Sequence, residues 1–227
     1  MPYNFLWLTH KLAKAGELTS NTSFPFDFQK IAMKHESYAG EYVTLRYFLR
    51  LIIVQNFNNI CREMNVIVHS SSSHLDTGDG VKLKVGAGNV LHLDFEHSRV
   101  KYHLMDIVIG KVNFLLVQEK IKNMYIAIIR REFAVKNLNT NSGSLKGEEQ
   151  LGMYEIMDGS PANGDSIPIR LFLSRYKLTP TMCDVEKIFS VKYYLKLVVV
   201  DEKNRRYSKE EVLSSMNKLL LLETSNK

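Results

Sequence analysis

TLRYFLRLIIV, Thr44 to Val54, and SVKYYLKLVVV, Ser190 to Val200, are one phrase written twice. In an extended strand successive side chains alternate between faces, so Leu45, Tyr47, Leu49, Leu51 and Ile53 share one face, as do Val191, Tyr193, Leu195, Leu197 and Val199. Basic residues take matching slots on the opposite face. Alternation alone is what any half-buried antiparallel strand requires. The shared order of aromatic, leucine, base, leucine and β-branched residue goes further and points to two related β units in one chain.

Working outward, the flanking sequence is nearly all strand-like. Asn4 to Leu12 and the alternating Phe24, Phe26 and Phe28 predict two early strands, and a tight turn follows at Tyr38 to Gly40. Tyr42 to Gln55 is the longest strand candidate. After Val66 to His69 comes SSSSHLDTGDG, Ser70 to Gly80, whose small, polar and glycine residues mark a break between domains. This divides the chain into a first unit over 1–72, a linker over 73–80, a second unit over 81–207 and a tail over 208–227. In the second unit, Val81 to Val85, Val90 to His97, Ile107 to Val117 and Met124 to Phe133 are successive antiparallel strands. KNLNTNSGSLKGEEQ, Lys136 to Gln150, lacks apolar periodicity and reads as a loop. Ile167, Ile169, Leu171 and Leu173 face one way from a further strand, which Pro168 assigns to an edge or a strand start. Val212, Leu213, Met216, Leu219 and Leu220 are spaced as on one helical face. No N-cap precedes them, so a frayed strand is the alternative.

The 227 residues, 45% of them hydrophobic, suffice for one large core or two smaller ones. Apolar runs such as Leu219 to Leu222 fall far short of the ~20 residues a membrane helix needs. The start MPYNFLWLTHKLAKAGE lacks the order of a secretory signal, which predicts a cytoplasmic chain. Cys61 and Cys183 have no CxxC or Cys/His spacing, so neither a disulfide framework nor a structural zinc site is expected. The net charge of +6 is scattered rather than gathered in one run, a poor match to nucleic acid.

Candidate catalytic groupings give little. His92, Asp94 and Glu96 share one face of a strand but step ~7 Å apart, too far to converge on one ion without a partner strand. A solvated polar face opposite Leu91, Leu93 and Phe95 is the simpler account. Gly78-Asp79-Gly80 and Gly86-Ala87-Gly88 supply GxG without the strand and helix that phosphate binding requires, so no cofactor is expected. Ser70 to Ser73 beside His69 and His74 have no GxSxG elbow. No enzyme activity follows from these residues. A different chemistry is suggested by YEIMDGSPANGDSIPIRLFL, Tyr154 to Leu173. There Ile156 and Met157 run straight into the turn sequence Asp158-Gly159-Ser160-Pro161, which places two apolar side chains near a loop tip. They either tuck under the loop as core or anchor a partner.

Several phrases also carry a resemblance. GELT (Gly16 to Thr19), ESYAGEYVTLRYFL (Glu36 to Leu49), VIVH (Val66 to His69), KYHLMDIVIGKVNFLLV (Lys101 to Val117), YEIMDG (Tyr154 to Gly159), SIPIRLFL (Ser166 to Leu173), TPTMCDV (Thr179 to Val185) and VVVDEKNRRY (Val198 to Tyr207) follow in order. Together they resemble the vacuolar-protein-sorting twenty-six family, the arrestin-like subunit of retromer. The resemblance implies an all-β chain of two arrestin-like β-sandwiches, the first incomplete because the family's early strands have no counterpart before Phe5. It also implies a non-enzymatic role in endosome-to-Golgi retrieval and recycling of membrane cargo, peripheral on endosome membranes and attached indirectly. The implied partners are the retromer α-solenoid subunit (vacuolar protein sorting thirty-five), sorting nexins and sorting motifs in cargo tails. The loop with Ile156, Met157, Asp158 and Gly159 is the implied contact with the solenoid. Family members hold an apolar cargo side chain between a valine after the linker and an aromatic just after ArgArgTyr. Val85 matches the first, and Ser208 stands in place of the second. An arrestin-domain adaptor acting outside retromer is the alternative, but the PPxY tail typical of that branch does not occur here.

Overall fold

A computed structural model describes residues 3–29, 31, 33–70, 80–99, 101–137, 142–215 and 220–224. The chain divides into two units, Met1–Lys34 and His35–Lys227. The strands in chain order are β1 (Tyr38–Ala39), β2 (Thr44–Leu45), β3 (Tyr47–Ile53), β4 (Ile60–Ser70), β5 (Val81–Ala87), β6 (Leu91–His97), β7 (Lys101–Tyr102) and β8 (Ile107–Val117). They continue with β9 (Ile121–Asn137), β10 (Ser142–Asp158), β11 (Ser166–Phe172), β12 (Met182–Val185), β13 (Phe189–Asp201), β14 (Arg206–Ser215) and β15 (Leu220–Thr224). One 3₁₀ turn, Leu173–Arg175, is the only helical element among the described residues, none of which forms a helix able to cross a membrane. The fold is all-β.

The second copy of the repeated phrase is a central strand. β13 pairs antiparallel with β9 on one side and β14 on the other, in a sheet ordered β10-β9-β13-β14-β7 with β12 also on β13. Val191, Tyr193, Leu195, Leu197 and Val199 are all buried, with Met124, Ile126 and Ile128 of β9 beside them. The second sheet, β11-β8-β6-β5, contributes Leu91, Leu93, Phe95, Val112, Phe114, Ile169 and Leu171 to the same core. Each such side chain, fully withdrawn from water, contributes about 1.5–3 kcal/mol before chain entropy is counted. β11 is an edge strand, and Pro168 sits on it as expected, since its missing N–H is tolerated there.

The first copy fares differently. It is broken at Arg46 into β2 and β3, and among the described residues β3 has only one neighbour, in a sheet ordered β15-β4-β3. Leu45 and Tyr47 are buried, but Leu51 and Ile53 are 43% and 37% exposed, so the apolar face is covered only near its start. On the reverse face Glu63 binds both Arg46 and Arg50, whose guanidinium groups lie over Phe48.

Three expectations are corrected. Residues 3–29 contain no strand: Trp7 Nε1 donates to Thr9 and Phe26 meets Phe28 edge-on, but isolated alternating segments cannot satisfy their main-chain N–H and C=O groups without a ladder partner. The described part of Lys136 to Gln150 is strand, not loop, because β10 pairs along the length of β9. Its polar sequence is held there by ion pairs from Arg131 to Glu148 and Arg130 to Glu149. The tail segment through Val212 and Leu213 is strand rather than helix, with Leu213 opposite Tyr193 and buried, and Val212 turned outward. Met216 and Leu219 lie outside the described residues, as does all of the linker except Gly80.

Candidate functional site

Ile156 and Met157 occupy a β-bulge. The β9–β10 ladder pairs Tyr125 with Glu155, then Met124 with Met157 and Asn123 with Asp158, which leaves Ile156 as the extra residue. A bulge bends its strand and re-aims the side chain it carries. Met157 follows the register of buried Met124 at the outer edge of the sheet. Both Ile156 and Met157 are half-buried, neither sealed in the core nor fully in water, and Asp158 and Gly159 are exposed.

The loop beyond is pinned. Gly159 has φ +109°, a backbone state that favours glycine, and its N–H donates to the Lys122 carbonyl at 2.9 Å. Ile121 N–H donates to Ser160 Oγ, Ala162 N–H to Asp165 Oδ2, Gly164 N–H to the Phe114 carbonyl, and Val117 N–H to Asn163 Oδ1. The adjoining β13–β14 turn is braced likewise. Asp201 accepts from Arg205 N–H at 2.8 Å and Arg205 Nε at 2.6 Å, and Glu119 binds Lys203 and Arg205. Burial opposes the charge on Asp201, but the Arg205 hydrogen bonds outweigh it and hold that carboxyl below its usual range. The result is a hydrogen-bonded end of the sandwich on which two half-buried apolar side chains are presented.

At the other end of β9 lies a polar centre that the sequence did not disclose. Glu132 is buried, yet its carboxylate accepts from the Tyr38 hydroxyl, from Tyr42 N–H at 3.0 Å and Glu41 N–H at 3.3 Å, with Arg130 Nε at 3.4 Å. Tyr38 stacks on Phe189, and burial, then the bond to Glu132, push its phenol well above the ordinary value. Gly40 must lack a side chain, since a Cβ there would fall 2.1 Å from Glu132 Oε1. The segment His35–Tyr47 is thereby fastened over the long sheet.

A second buried polar group is His97 of β6. Its Nδ1 faces the Arg99 carbonyl at 2.8 Å and the Tyr102 hydroxyl at 3.1 Å, while Nε2 is buried without a partner among the described residues. Burial lowers its pKa, against the opposing pull of the Arg99 carbonyl and the Glu211 charge. Above the unfolded value of 6.5 the ring is neutral in both states, and its contribution to stability is complete. As pH falls through 6.5 the unfolded chain takes the proton first, so stability declines until the lower folded pKa is passed. Chemical denaturation measured between pH 8 and pH 5 should show this loss, and His97→Gln should flatten it.

Val85 is 4% exposed, on the inner face of β5 opposite Leu93, and Ser208 is exposed on β14 opposite Val198; the two do not share a face. The carboxylates of Asp94 and Glu96 are bridged by Lys82 Nζ at 2.8 and 3.0 Å. Among the described residues no three His, Cys, Asp or Glu side chains gather as metal ligands.

Comparison with known proteins bears on the whole chain. The sequence model described as vacuolar protein sorting-associated protein 26 matches residues 1–204. Similar proteins include vacuolar protein sorting-associated protein 26B-like of Danio rerio, 44% identical over 93% of this chain and 63% of its own length. Vacuolar protein sorting-associated protein 26 of Caenorhabditis elegans is 45% identical over 95% of this chain and 59% of its own. Protein 26B of Homo sapiens is 45% identical over 92% and 61%. This chain thus spans about three fifths of the length of the curated relatives it matches. Among solved structures, the sporulation control protein Spo0M of Bacillus subtilis aligns over 56% of this chain and 49% of its own at 11% identity, with a TM-score of 0.45, too slight a likeness to build on. The match over residues 1–204 and the level of identity place the chain in the Vps26 family of vacuolar protein sorting-associated proteins.

Proposed function

We propose that this chain acts as a non-enzymatic retromer subunit, a scaffold and adaptor for endosomal retrieval of membrane cargo, through docking of Ile156, Met157, Asp158 and Gly159 on the retromer α-solenoid subunit. The observation that carries this reading is the β-bulge: it holds Ile156 and Met157 half-exposed at the head of a loop whose backbone is otherwise hydrogen-bonded. Unpartnered apolar side chains on a rigid frame bind without a large ordering cost. The choice of the solenoid as partner rests on the resemblance to the Vps26 family. Co-purification with the solenoid tests the docking, and retention of full binding by the Ile156→Asp, Met157→Asn double variant would refute it.

Cargo recognition, with a sorting nexin as co-partner, falls in this reading on the exposed side of β14 that carries Ser208, next to β5. Since Val85 is spent on the core and Ser208 offers little apolar area, a sorting motif gains little there. Ser208→Phe should strengthen binding of an apolar sorting peptide by about fivefold, equivalent to roughly 1 kcal/mol. A titration unchanged by the substitution would remove β14 from the cargo site. Membrane association is then peripheral and by way of these partners.

A further inference from the structure

We infer that the outer face of the β11-β8-β6-β5 sheet, at the end where β8 begins and β11 finishes, is a second docking surface, for an extended acidic segment of another protein that is anchored by apolar side chains. This goes beyond the Ile156–Met157 reading and does not rest on it. β8 is 11 residues long, and its far end carries Val117, which is tied to Asn163 of the loop that follows Asp158. The two surfaces therefore lie roughly 30 Å apart at the rise of an antiparallel strand and can be occupied together.

Four large apolar side chains are exposed here: Met105 at 69%, Ile107 at 37%, Ile109 at 50% and Phe172 at 39%. The register pairs Phe172 with Ile107 and Arg170 with Ile109, so these four strand residues form one contiguous patch. Scattered exposed apolar residues need no explanation, but a contiguous group does. Met105 is held outward by a braced turn. Asp106 N–H donates to the His103 carbonyl at 2.9 Å, His103 N–H to Asp106 Oδ2 at 2.9 Å, and Leu173 N–H to the Asp106 carbonyl at 3.0 Å. Beside Ile109 an open depression of about 600 Å³ is bordered by Val81, Gly110 and Pro168 and by Glu96, whose charge is met by Lys82 and Lys111. It can take an apolar side chain.

Charge decides the kind of partner. Arg99 beside the patch binds Asp106, whereas among the described residues Arg170 and Arg175, like Arg62 and Arg206 elsewhere on the chain, form no ion pair. The Arg175 guanidinium instead lies 5.4 Å from the centre of the Phe172 ring. Two arginines free of carboxylates on the border of an apolar patch complement acidic residues flanking apolar ones. An anionic membrane is a poorer fit. Ile107, Ile109 and Phe172 lie in a pleated sheet face, and only Met105 stands on a turn that could enter a bilayer. Pro168 supplies no N–H on the edge strand β11, which weakens that strand as a template for an added ladder and favours recognition through side chains.

The test uses the full chain and two synthetic peptides, one alternating leucine with glutamate and one with lysine in place of glutamate. Methyl NMR and fluorescence anisotropy are the readouts. The glutamate peptide should shift the Met105, Ile107 and Ile109 methyl signals, and its Kd should rise about tenfold in Ile109→Glu. The Arg170→Glu, Arg175→Glu variant should lose the glutamate peptide and gain the lysine one, which a merely unfolded variant would not do. Ile156→Asp should leave the titration unchanged. The proposal is overturned by equal binding of both peptides, or by no shift at these methyls with either. It is also overturned if Ile109→Glu abolishes binding to phosphatidylserine vesicles, which would make the patch a lipid surface, or abolishes a concentration-dependent dimer, which would make it a contact between copies.

Discussion

Glu132→Ala should destabilise the chain by about 3–5 kcal/mol, a large share of the stability of any single domain. The substitution strips the partner from the buried Tyr38 hydroxyl and from the N–H groups of Glu41 and Tyr42, and leaves the mostly buried Arg130 without its inner carboxylate. The Tyr38 hydroxyl, which is buried, then bears a desolvation cost that nothing repays. Glu132→Gln keeps an acceptor and the volume, so its loss should be about half as large. Gly40→Ala should resemble Glu132→Ala, because the added Cβ meets the same carboxylate at 2.1 Å. Thermal or urea unfolding decides this; a shift within error for both Glu132→Ala and Gly40→Ala would show that the polar centre does not fasten His35–Tyr47 to the sheet.

The second large effect is on association. In the Ile156→Asp, Met157→Asn variant an apolar anchor is replaced by a charge and an amide that would be buried unpaired on docking, and the affinity for the solenoid should fall about a hundredfold or more. Stability should change by no more than about 1 kcal/mol, since both side chains are only half-buried and sit at the sheet edge. Gly159→Val separates presentation from contact. It leaves both anchors intact but strains the φ +109° position that turns the loop, so it should weaken docking by a smaller factor. Binding titrations paired with unfolding curves distinguish the two losses.

How far the sequence discloses this architecture varies strand by strand. β13 is legible because its environment matches its pattern: a strand on each side and a second sheet over one face bury every alternate residue from Val191 to Val199. The same pattern in Thr44 to Val54 predicts equal burial, yet β3 has one neighbour, and Leu51 and Ile53 remain exposed. Periodicity reports which side chains share a face, not what covers it. β10 was illegible for the opposite reason. Its positions are satisfied by cross-strand ion pairs and by rings distant in sequence, Tyr42 against Gly147 and Tyr176 against Gly152, so no apolar repeat was needed. Ser166 to Phe172 was readable down to its edge position through Pro168.

The candidate site shows the same division. The Asp-Gly-Ser-Pro turn announced the loop after Ile156 and Met157, and Gly159 indeed takes the positive φ such a turn favours. The bulge that sets Ile156 apart from its neighbours depends on the β9–β10 register, which local sequence does not encode. Glu132 was missed because a single acid in REFAV is indistinguishable from a surface residue until Tyr38 and the Glu41–Tyr42 backbone close over it. A buried carboxylate gives no local pattern; only its partners betray it.

If Ile156 and Met157 contact the retromer solenoid as proposed, the backbone around them is protected on complex formation. Hydrogen exchange of the chain alone and in complex with that subunit measures this directly, since the amides of Glu155 to Ser160 flank the bulge. Protection on complex formation should be greatest in this segment and should vanish with the Ile156→Asp, Met157→Asn variant. Protection confined to other strands, with Glu155 to Ser160 exchanging equally in both samples, would contradict it.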